Sequence, residues 1–295
     1  MGILNVTPDS FSDGGSFYSL KDAVAHGIQL MDDGADIIDI GGESTRPNAD
    51  IIPPHEEQLR VLPVIAALKP TAQKRGIKIS IDTRNASTMR EAVKAGAELI
   101  NDVSALTHDA DSLKTAASTN AQIILMHMQG TPQTMQNNPN YKNVVADVYD
   151  YLQKRITACV AAGIAKSRLI VDPGLGFGKT VEHNIALLTH AREFQKLGVP
   201  VLIGASRKSF LGKLNSHNKQ SIRHAREGGY PRTDFAGKGQ ISTKSINDNN
   251  TTSKLVDTRL RGHDGMNNLL PASLAAAIIA AQQGAQILRV HDVAE

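Results

Sequence analysis

The feature that most limits the fold of this chain is a regular alternation of short apolar segments with segments of helical periodicity. Eight apolar runs occur, with seven helical segments between them. Apolar strands that strictly alternate with helices require a parallel sheet covered by helices, and eight units is the number that closes a barrel. The sequence therefore predicts an α/β fold, a (βα)8 TIM-type barrel. An open doubly wound sheet is the alternative, because periodicity does not show closure.

The predicted strands are short, and the predicted helices between them vary in length. Strands are predicted at residues 2–4, 36–40, 77–81, 98–100, 123–126, 169–171, 199–203 and 286–288. Helices are predicted, among other places, at residues 20–33, 55–68 and 142–162, where apolar residues recur at helical spacing.

Polar residues follow nearly every predicted strand, at the end that forms the active-site face of such barrels. They include Asn5, Asp82, Asn101, Asp102, His127, Asp172, Ser206 and Arg289, and Gly204 directly follows the seventh predicted strand. Some of these residues have a simpler explanation. Asn85 is predicted to cap a helix, Ser44 or Asp102 could be caps, and His127 could be a histidine whose hydrogen bonds are satisfied at the barrel rim.

Residues 169–180 combine an apolar strand, Asp172 at its tip and a glycine-rich turn before a helix. The phosphate-loop pattern G-x-x-x-x-G-K-[ST] fails by one residue, because Pro173 stands where the first glycine is required and has no N–H to donate. The alternatives are a tight turn with a capping aspartate, or a strand tip that points a carboxylate into a site.

Two features depart from a regular barrel. Residues 216–265 are polar and of low complexity, and they predict a disordered insertion in the seventh βα unit, with a metal site at His217, His224 and His263 as a weak alternative. The helix expected after strand eight is missing. We predict one barrel domain over residues 1–295, interrupted by this insertion.

Charge, cysteine content and hydropathy exclude several classes of protein. The insertion holds nine Lys or Arg and five Asp or Glu, which exceeds the net charge of +3 for all 295 residues, so the basic character does not indicate nucleic-acid binding. Cys159 is the single cysteine, so an internal disulfide is impossible. No signal peptide or bilayer-spanning run is present, which predicts a cytoplasmic protein that binds no membrane.

Seven short motifs give a more specific indication. In chain order they are residues 5–15 (NVTPDSFSDGG), 42–47 (GESTRP), 80–83 (SIDT), 101–104 (NDVS), 172–179 (DPGLGFGK), 206–209 (SRKS) and 289–293 (RVHDV). These segments resemble the motifs of the bacterial dihydropteroate synthase family. The resemblance covers residues 1–214 and resumes at about residue 269.

The resemblance implies a reaction, a cofactor and an assembly. Members of the family condense 6-hydroxymethyl-7,8-dihydropterin diphosphate with 4-aminobenzoate to give 7,8-dihydropteroate and pyrophosphate, with Mg²⁺, in folate biosynthesis. They are homodimers and targets of sulfonamides. Alternatives are the related barrel that presents methyltetrahydrofolate to a corrinoid protein, and an inactive pterin-binding remnant.

The resemblance also implies roles for residues at the strand ends. It assigns pterin binding to Asp82, Asn101, Asp172, Phe177, Gly204 and Lys208. It assigns the diphosphate to Asn5, Arg289 and His291, with Asn5 also the Mg²⁺ ligand. It assigns 4-aminobenzoate to Thr45, Arg46, Pro47, Phe177 and Ser206. Lys208, Arg289 and His291 are the predicted catalytic residues, and we expect the cations among them to offset the charge of the diphosphate.

Overall fold

The computed structural model describes residues 1–7, 20–44, 51–214 and 269–295. The predicted insertion at 216–265 and the predicted aminobenzoate residues Thr45, Arg46 and Pro47 lie outside these ranges. Within the ranges, no helix is long and apolar enough to cross a membrane.

Strands and helices alternate along the described chain as predicted. The strands are β1 Gly2–Asn5, β2 Ile37–Gly41, β3 Lys78–Asp82, β4 Leu99–Asp102, β5 Gln122–Met126, β6 Leu169–Asp172, β7 Leu202–Ile203 and β8 Ile287–Leu288. The α-helices with defined bounds are α1 Leu20–Asp32, α2 Pro54–Arg75, α3 Ala86–Ala95, α4 Ser112–Ala117, α5 Val144–Ala161, α6 Val181–Thr189 and α7 Leu270–Gln282. Two 3-10 helices lie at Lys166–Arg168 and Ala191–Leu197.

The strands are parallel and follow one another around a barrel. β1 to β6 form one sheet in chain order, and β7 pairs with β8. Isolated parallel bridges connect the two sheets, between Val171 and Val201 on one side and between Gly2 and Val290 on the other. The Ile3 N–H donates to the Val290 carbonyl at 3.0 Å. These contacts confirm the predicted (βα)8 barrel and exclude the open doubly wound sheet.

Helix α2 is longer than predicted, because the sequence analysis ended it at residue 68 and the helix continues to Arg75. Pro70 marks the place where the prediction stopped, since proline usually ends or kinks a helix. The apolar side of α2 packs in the core through Leu68 and Ala72, which are both fully buried. That burial carries the helix past the proline, and it ends at Gly76 with a left-handed φ of 70°.

The interior of the barrel is divided into an apolar lower part and a polar upper part. Met1, Leu99, Ile124, Ile170 and Leu202 form a separate buried cluster, with Ile37 and Ile287 packed against it. Because side chains alternate along a strand, residues two positions further on face the same interior. Those next inward positions are Ile3, Asp39, Asn101, Met126, Asp172, Gly204 and Arg289, most of which are polar or glycine. The fold therefore places the functional groups directly above a buried apolar layer.

Candidate active site

Arg289 connects strand β8 to strands β2 and β3 across the barrel mouth. Its Nε–H donates to Oδ2 of Asp39 at 2.6 Å, and Nη2 donates to Oδ2 of Asp82 at 2.6 Å. Burial acts to lower the pKa of Arg289, but the two carboxylates outweigh it and raise that pKa. The guanidinium ion is thus permanently charged and fixed in direction before any substrate binds.

Asp39 is the main residue of this site that the sequence analysis did not assign. Its side chain is fully buried, and its Oδ2 also accepts a hydrogen bond from Nδ2 of Asn101 at 3.0 Å. Oδ1 of Asp39 and the hydroxyl of its register neighbour Ser80 have no hydrogen-bond partner within the described ranges. An acid in the middle of the apolar run Ile38-Asp39-Ile40 was the available signal, because a buried carboxylate requires partners.

Asp82 and Asn101 lie side by side, since they are register partners in β3 and β4. Burial raises the pKa of Asp82, and the Arg289 guanidinium acts against that rise. Asp172 ends β6 and is 6% exposed. Burial also raises the pKa of Asp172, although the N–H of Gly174 donates to its Oδ1 at 2.7 Å. Three of the six residues predicted to bind the pterin, Asp82, Asn101 and Asp172, are therefore brought to one face of the barrel.

The glycine-rich turn after Asp172 uses its own amides internally. The Gly174 N–H is bonded to Asp172, and the Gly176 N–H donates to Oδ1 of Asn184 at 2.6 Å. A phosphate loop needs free amides, so the structure excludes that reading of the turn. The alternative of a tight turn with a capping aspartate is confirmed, since Asp172 accepts the Gly174 N–H within the turn. The following helix α6 has its own cap, Thr180, which forms a capping box with His183.

Lys208 and Phe177 contact each other at the edge of the site. The Nζ atom of Lys208 lies 4.1 Å from the centroid of the Phe177 ring, a cation–π distance. Burial and the repulsion of Arg289 lower the pKa of Lys208 to about 8, while Asp172 acts in the opposite direction. Gly204 lies beside Arg289, since a Cβ added at Gly204 would be 3.9 Å from the Arg289 Cβ.

His291 is paired with Ser206 rather than exposed to solvent as a cation. The backbone N–H of His291 donates to the Ser206 hydroxyl at 3.2 Å, and that hydroxyl lies 3.2 Å from His291 Nδ1. Burial, Arg207, Arg289 and Lys208 lower the pKa of His291 to about 3. The expectation that His291 supplies positive charge is therefore wrong for the free protein. When the Ser206 hydroxyl donates to Nδ1, the single ring hydrogen of the neutral imidazole is on Nε2. This Nε2–H can still donate to an anion.

Asn5 ends β1 next to Asp82. Its Oδ1 and the Oδ2 of Asp82 both lie 3.8 Å from the point that a side chain on Gly41 would occupy. The described ranges contain no group of three His, Cys, Asp or Glu residues that could hold a metal. Mg²⁺ nevertheless fits Asn5, because it prefers hard oxygen ligands and usually takes one or two from the protein and the rest from water and substrate phosphates.

The start of the β2–α2 loop is anchored by buried charge. Arg84 donates to both carboxylate oxygens of Glu43, at 3.0 and 2.7 Å, and Arg60 donates to the Gly42 carbonyl at 3.0 Å. The Arg84 and Glu43 side chains are only 7% and 8% exposed. These contacts fix the chain immediately before residues 45–47.

Three of the simpler explanations can be decided. Asn85 precedes α3 but makes no capping bond, because its Nδ2 donates to Glu57 at 2.9 Å, so that prediction is wrong. Asp102 caps a turn and not a helix, because it accepts hydrogen bonds from the amides of Ser104 and Leu106, and the helix α4 begins only after Asp111. His127 has its hydrogen bonds satisfied, since Nδ1 lies 3.0 Å from Lys179 Nζ.

Comparison with known proteins agrees with this geometry. The family model described as pterin binding enzyme matches residues 1–230. The dihydropteroate synthase of Haemophilus influenzae is 44% identical over 294 residues, which cover 100% of this chain and 88% of the relative. The Escherichia coli K12 enzyme of the same name is 42% identical over 295 residues, covering 100% of this chain and 86% of the relative.

Solved structures give the same result. Yersinia pestis dihydropteroate synthase in complex with a sulfonamide drug superposes with a TM-score of 0.78 at 40% identity, covering 99% of this chain and 88% of that chain. The Xanthomonas albilineans enzyme with 7,8-dihydropteroate superposes with a TM-score of 0.74 at 39% identity, covering 99% and 87%. From its motifs, its barrel and these matches, the chain belongs to the dihydropteroate synthase family of pterin-binding enzymes.

Proposed function

We propose that this chain condenses 6-hydroxymethyl-7,8-dihydropterin diphosphate with 4-aminobenzoate to give 7,8-dihydropteroate and pyrophosphate. The observation that carries the proposal is the arrangement of Asp82, Asn101 and Asp172 on one face of the barrel, beside Arg289 and Lys208. The pterin ring has a planar edge of alternating hydrogen-bond donors and acceptors, and carboxylate and amide groups held in a barrel can match it. The related structures with 4-aminobenzoic acid and with 7,8-dihydropteroate support both substrates.

The diphosphate is assigned to the side of the mouth formed by Asn5, Arg289 and His291. Arg289 binds two carboxylates through Nε and Nη2, so its remaining N–H groups are the ones that can reach the diphosphate. His291 offers an N–H without a charge. Mg²⁺ held by Asn5 would supply electrostatic stabilisation of the leaving group.

In the proposed step the bond between the pterin methylene carbon and the diphosphate oxygen breaks, and the amine nitrogen forms a bond to that carbon. The pterin ring delocalises the positive charge of the methylene, so the reaction is S_N1-like. The arylamine is neutral at pH 7 and needs no strong base. Its surplus proton leaves to solvent or pyrophosphate. Lys208, with a pKa of about 8, is largely protonated at pH 7 and stabilises negative charge rather than removing a proton.

The 4-aminobenzoate site is assigned to Phe177 and Ser206, with Thr45, Arg46 and Pro47 closing over it. The Phe177 ring offers an apolar face beside the Lys208 cation. The buried pair of Glu43 and Arg84 would hold the base of the closing loop in place. Polar loops that carry an arginine are suited to bind a carboxylate.

We also infer that residues 1–295 form one domain that acts as a homodimer in the cytoplasm. The support for the homodimer is the family resemblance, which implies this assembly. Multi-angle light scattering of the purified chain tests the inference. A monomer at micromolar concentration would contradict it.

A pyrophosphate-release assay tests the activity. We expect release only when dihydropterin diphosphate, 4-aminobenzoate and Mg²⁺ are all present, and loss of release with EDTA. Lys208→Met should abolish most turnover, whereas Lys114→Met, on an exposed helix position, should not. An inactive wild-type chain with a folded circular dichroism spectrum would contradict the proposal and favour the pterin-binding remnant.

A further inference from the structure

Lys179 is a buried lysine that the proposed reaction does not use. It follows the glycine-rich turn, directly before the Thr180 cap of α6, and is 4% exposed. Lysine is seldom fully buried, because removing its charge from water is costly unless partners replace the water. Its environment must therefore supply those partners.

The ammonium group of Lys179 has three acceptors within hydrogen-bond distance. Nζ lies 3.0 Å from His127 Nδ1, 3.3 Å from the His127 carbonyl oxygen and 2.9 Å from the Phe177 carbonyl oxygen. A lysine ammonium carries three N–H donors and no acceptor. All its donors are used inside the protein, so none is left for a substrate.

His127 packs against the glycine-rich turn and is held in place by backbone and ring contacts. Its N–H donates to the Asp172 carbonyl at 3.0 Å, and its ring packs edge-on against Tyr151 with centroids 4.9 Å apart. The backbone of Gly174 lies so close above that a Cβ there would be 2.0 Å from the His127 carbonyl oxygen. Lys179 thus links the backbone of Phe177 to His127, the residue directly after β5.

This connection determines where the Phe177 ring points. Lys179 holds the Phe177 carbonyl towards His127, while Gln136 and Tyr141 donate to the carbonyls of Gly176 and Gly178 at 2.7 Å each. With its backbone held at three consecutive peptides, Phe177 places its ring beneath Lys208 Nζ. Among the three donors only Lys179 has a buried side chain, since Tyr141 is half-buried and Gln136 is exposed, so we expect removal of the Lys179 contact to cost the most.

We propose that Lys179 is a positioning residue for the second substrate, because its buried hydrogen bonds to His127 and Phe177 fix the aromatic ring against which 4-aminobenzoate binds. The inference rests on the proposed function where it names the substrate. It predicts a larger effect on aminobenzoate than on the pterin, because Asp82 and Asn101 lie on β3 and β4 and only part of the pterin site, Asp172 and Phe177, belongs to this turn.

The experiment compares Lys179→Met with Lys142→Met, the same change at an exposed position of the neighbouring loop. For Lys179→Met we expect the KM for 4-aminobenzoate to rise about tenfold, with the KM for dihydropterin diphosphate changed by less than about twofold. Lys142→Met should resemble the wild type. An unchanged KM for aminobenzoate, or an equal rise in both KM values, would overturn the proposal.

A second measurement does not depend on turnover. With 4-fluorophenylalanine at position 177, the ¹⁹F spectrum should show one narrow line in the wild type and in Lys142→Met, and broadened or multiple lines in Lys179→Met. One narrow line at the wild-type shift in all three would overturn the proposal. Absence of wild-type turnover would overturn the proposed function instead, and would leave this spectral comparison as the test of Lys179.

If Lys179→Met does not fold, the partner residue provides the test. His127→Asn keeps an oxygen acceptor near the Nδ1 position, whereas His127→Leu removes it. We expect His127→Leu to broaden the ¹⁹F line and raise the aminobenzoate KM, and His127→Asn to restore both towards wild type. Equal behaviour of the two variants would contradict the proposal.

Discussion

Arg289 donates its Nε–H to the fully buried carboxylate of Asp39, 250 residues earlier in the chain, at 2.6 Å. This pair joins the last strand to the second strand across the barrel mouth and aims the guanidinium ion at the proposed diphosphate position. A residue in the middle of a strand, without a predicted role, therefore sets the direction of a predicted catalytic residue.

Asp39→Asn should destabilise the protein and impair catalysis together, because Arg289 keeps only the Asp82 carboxylate. We expect the free energy of unfolding to fall by about 3 kcal/mol, the usual cost of breaking a buried ion pair. Urea denaturation and kcat/KM for dihydropterin diphosphate measure the two effects. Asp36→Asn, at an exposed position just before the same strand, is the control. Equal stability of the two variants would show that the pair contributes little.

Asp172→Asn should weaken binding of the pterin by about 1 to 3 kcal/mol, because a buried acceptor that loses its charge leaves a donor of the ligand poorly paired. Titration calorimetry with a dihydropterin measures this change directly. Glu91→Gln, on the outer helix α3, should leave the affinity at its wild-type value. An unchanged affinity in Asp172→Asn would remove Asp172 from the pterin site.

Gly174→Ala should cost far more than Gly76→Ala, although both glycines have a φ of 70°. Gly76 has nothing within 4 Å of an added Cβ, so we expect the usual left-handed penalty of about 1 to 2 kcal/mol. At Gly174 the Cβ would lie 2.0 Å from the His127 carbonyl oxygen, which forces the turn to move. Thermal unfolding and aminobenzoate KM test the difference, and similar melting temperatures would contradict the packing described above.

His127 should make the stability of the protein depend on pH below neutrality. Burial and Lys179 lower the pKa of His127 to about 3, so between pH 6.5 and 3 the unfolded chain binds a proton that the folded chain does not. The stability is fully present above pH 6.5 and is lost as the pH falls. Between pH 7 and 5.5, wild type should lose about 1 kcal/mol more than His127→Asn. Parallel urea curves at the two pH values measure this, and identical losses would refute it.

The rule that functional residues follow the carboxyl ends of barrel strands located most of the polar face of the barrel from sequence. Asp82, Asn101 and Arg289 were expected at the same face, and hydrogen bonds now connect Asp82 with Arg289 and Asn101 with Asp39. The rule missed Asp39 because it considers the ends of strands, and Asp39 lies two residues before the end of β2. An inward carboxylate two residues before the strand end is equally able to reach Arg289.

Local sequence rules failed where a tertiary contact outweighed them. Asn85 has the residue type and position of a helix cap, yet the buried carboxylate of Glu57 takes its side chain. Pro70 has the character of a helix end, yet α2 continues because its apolar side is buried. His291 was expected to be positive, but its burial and the positive charges of Arg207, Arg289 and Lys208 lower its pKa to about 3. In each case the burial that decides the outcome comes from tertiary packing, which local rules do not consider.

The sequence by itself determined the order of strands and helices, the parallel arrangement of the strands and the family, because apolar periodicity and contiguous motifs are local properties of the chain. Closure of the barrel was decided by the contacts of β1 and β6 with the last two strands. It also showed that the turn after Asp172 lacks the first glycine of a phosphate loop. Only the tertiary structure decided which charges meet. The pairs of Arg289 with Asp39, Glu43 with Arg84 and Lys179 with His127 depend on side-chain direction and burial, and on residues that are 41 to 250 positions apart.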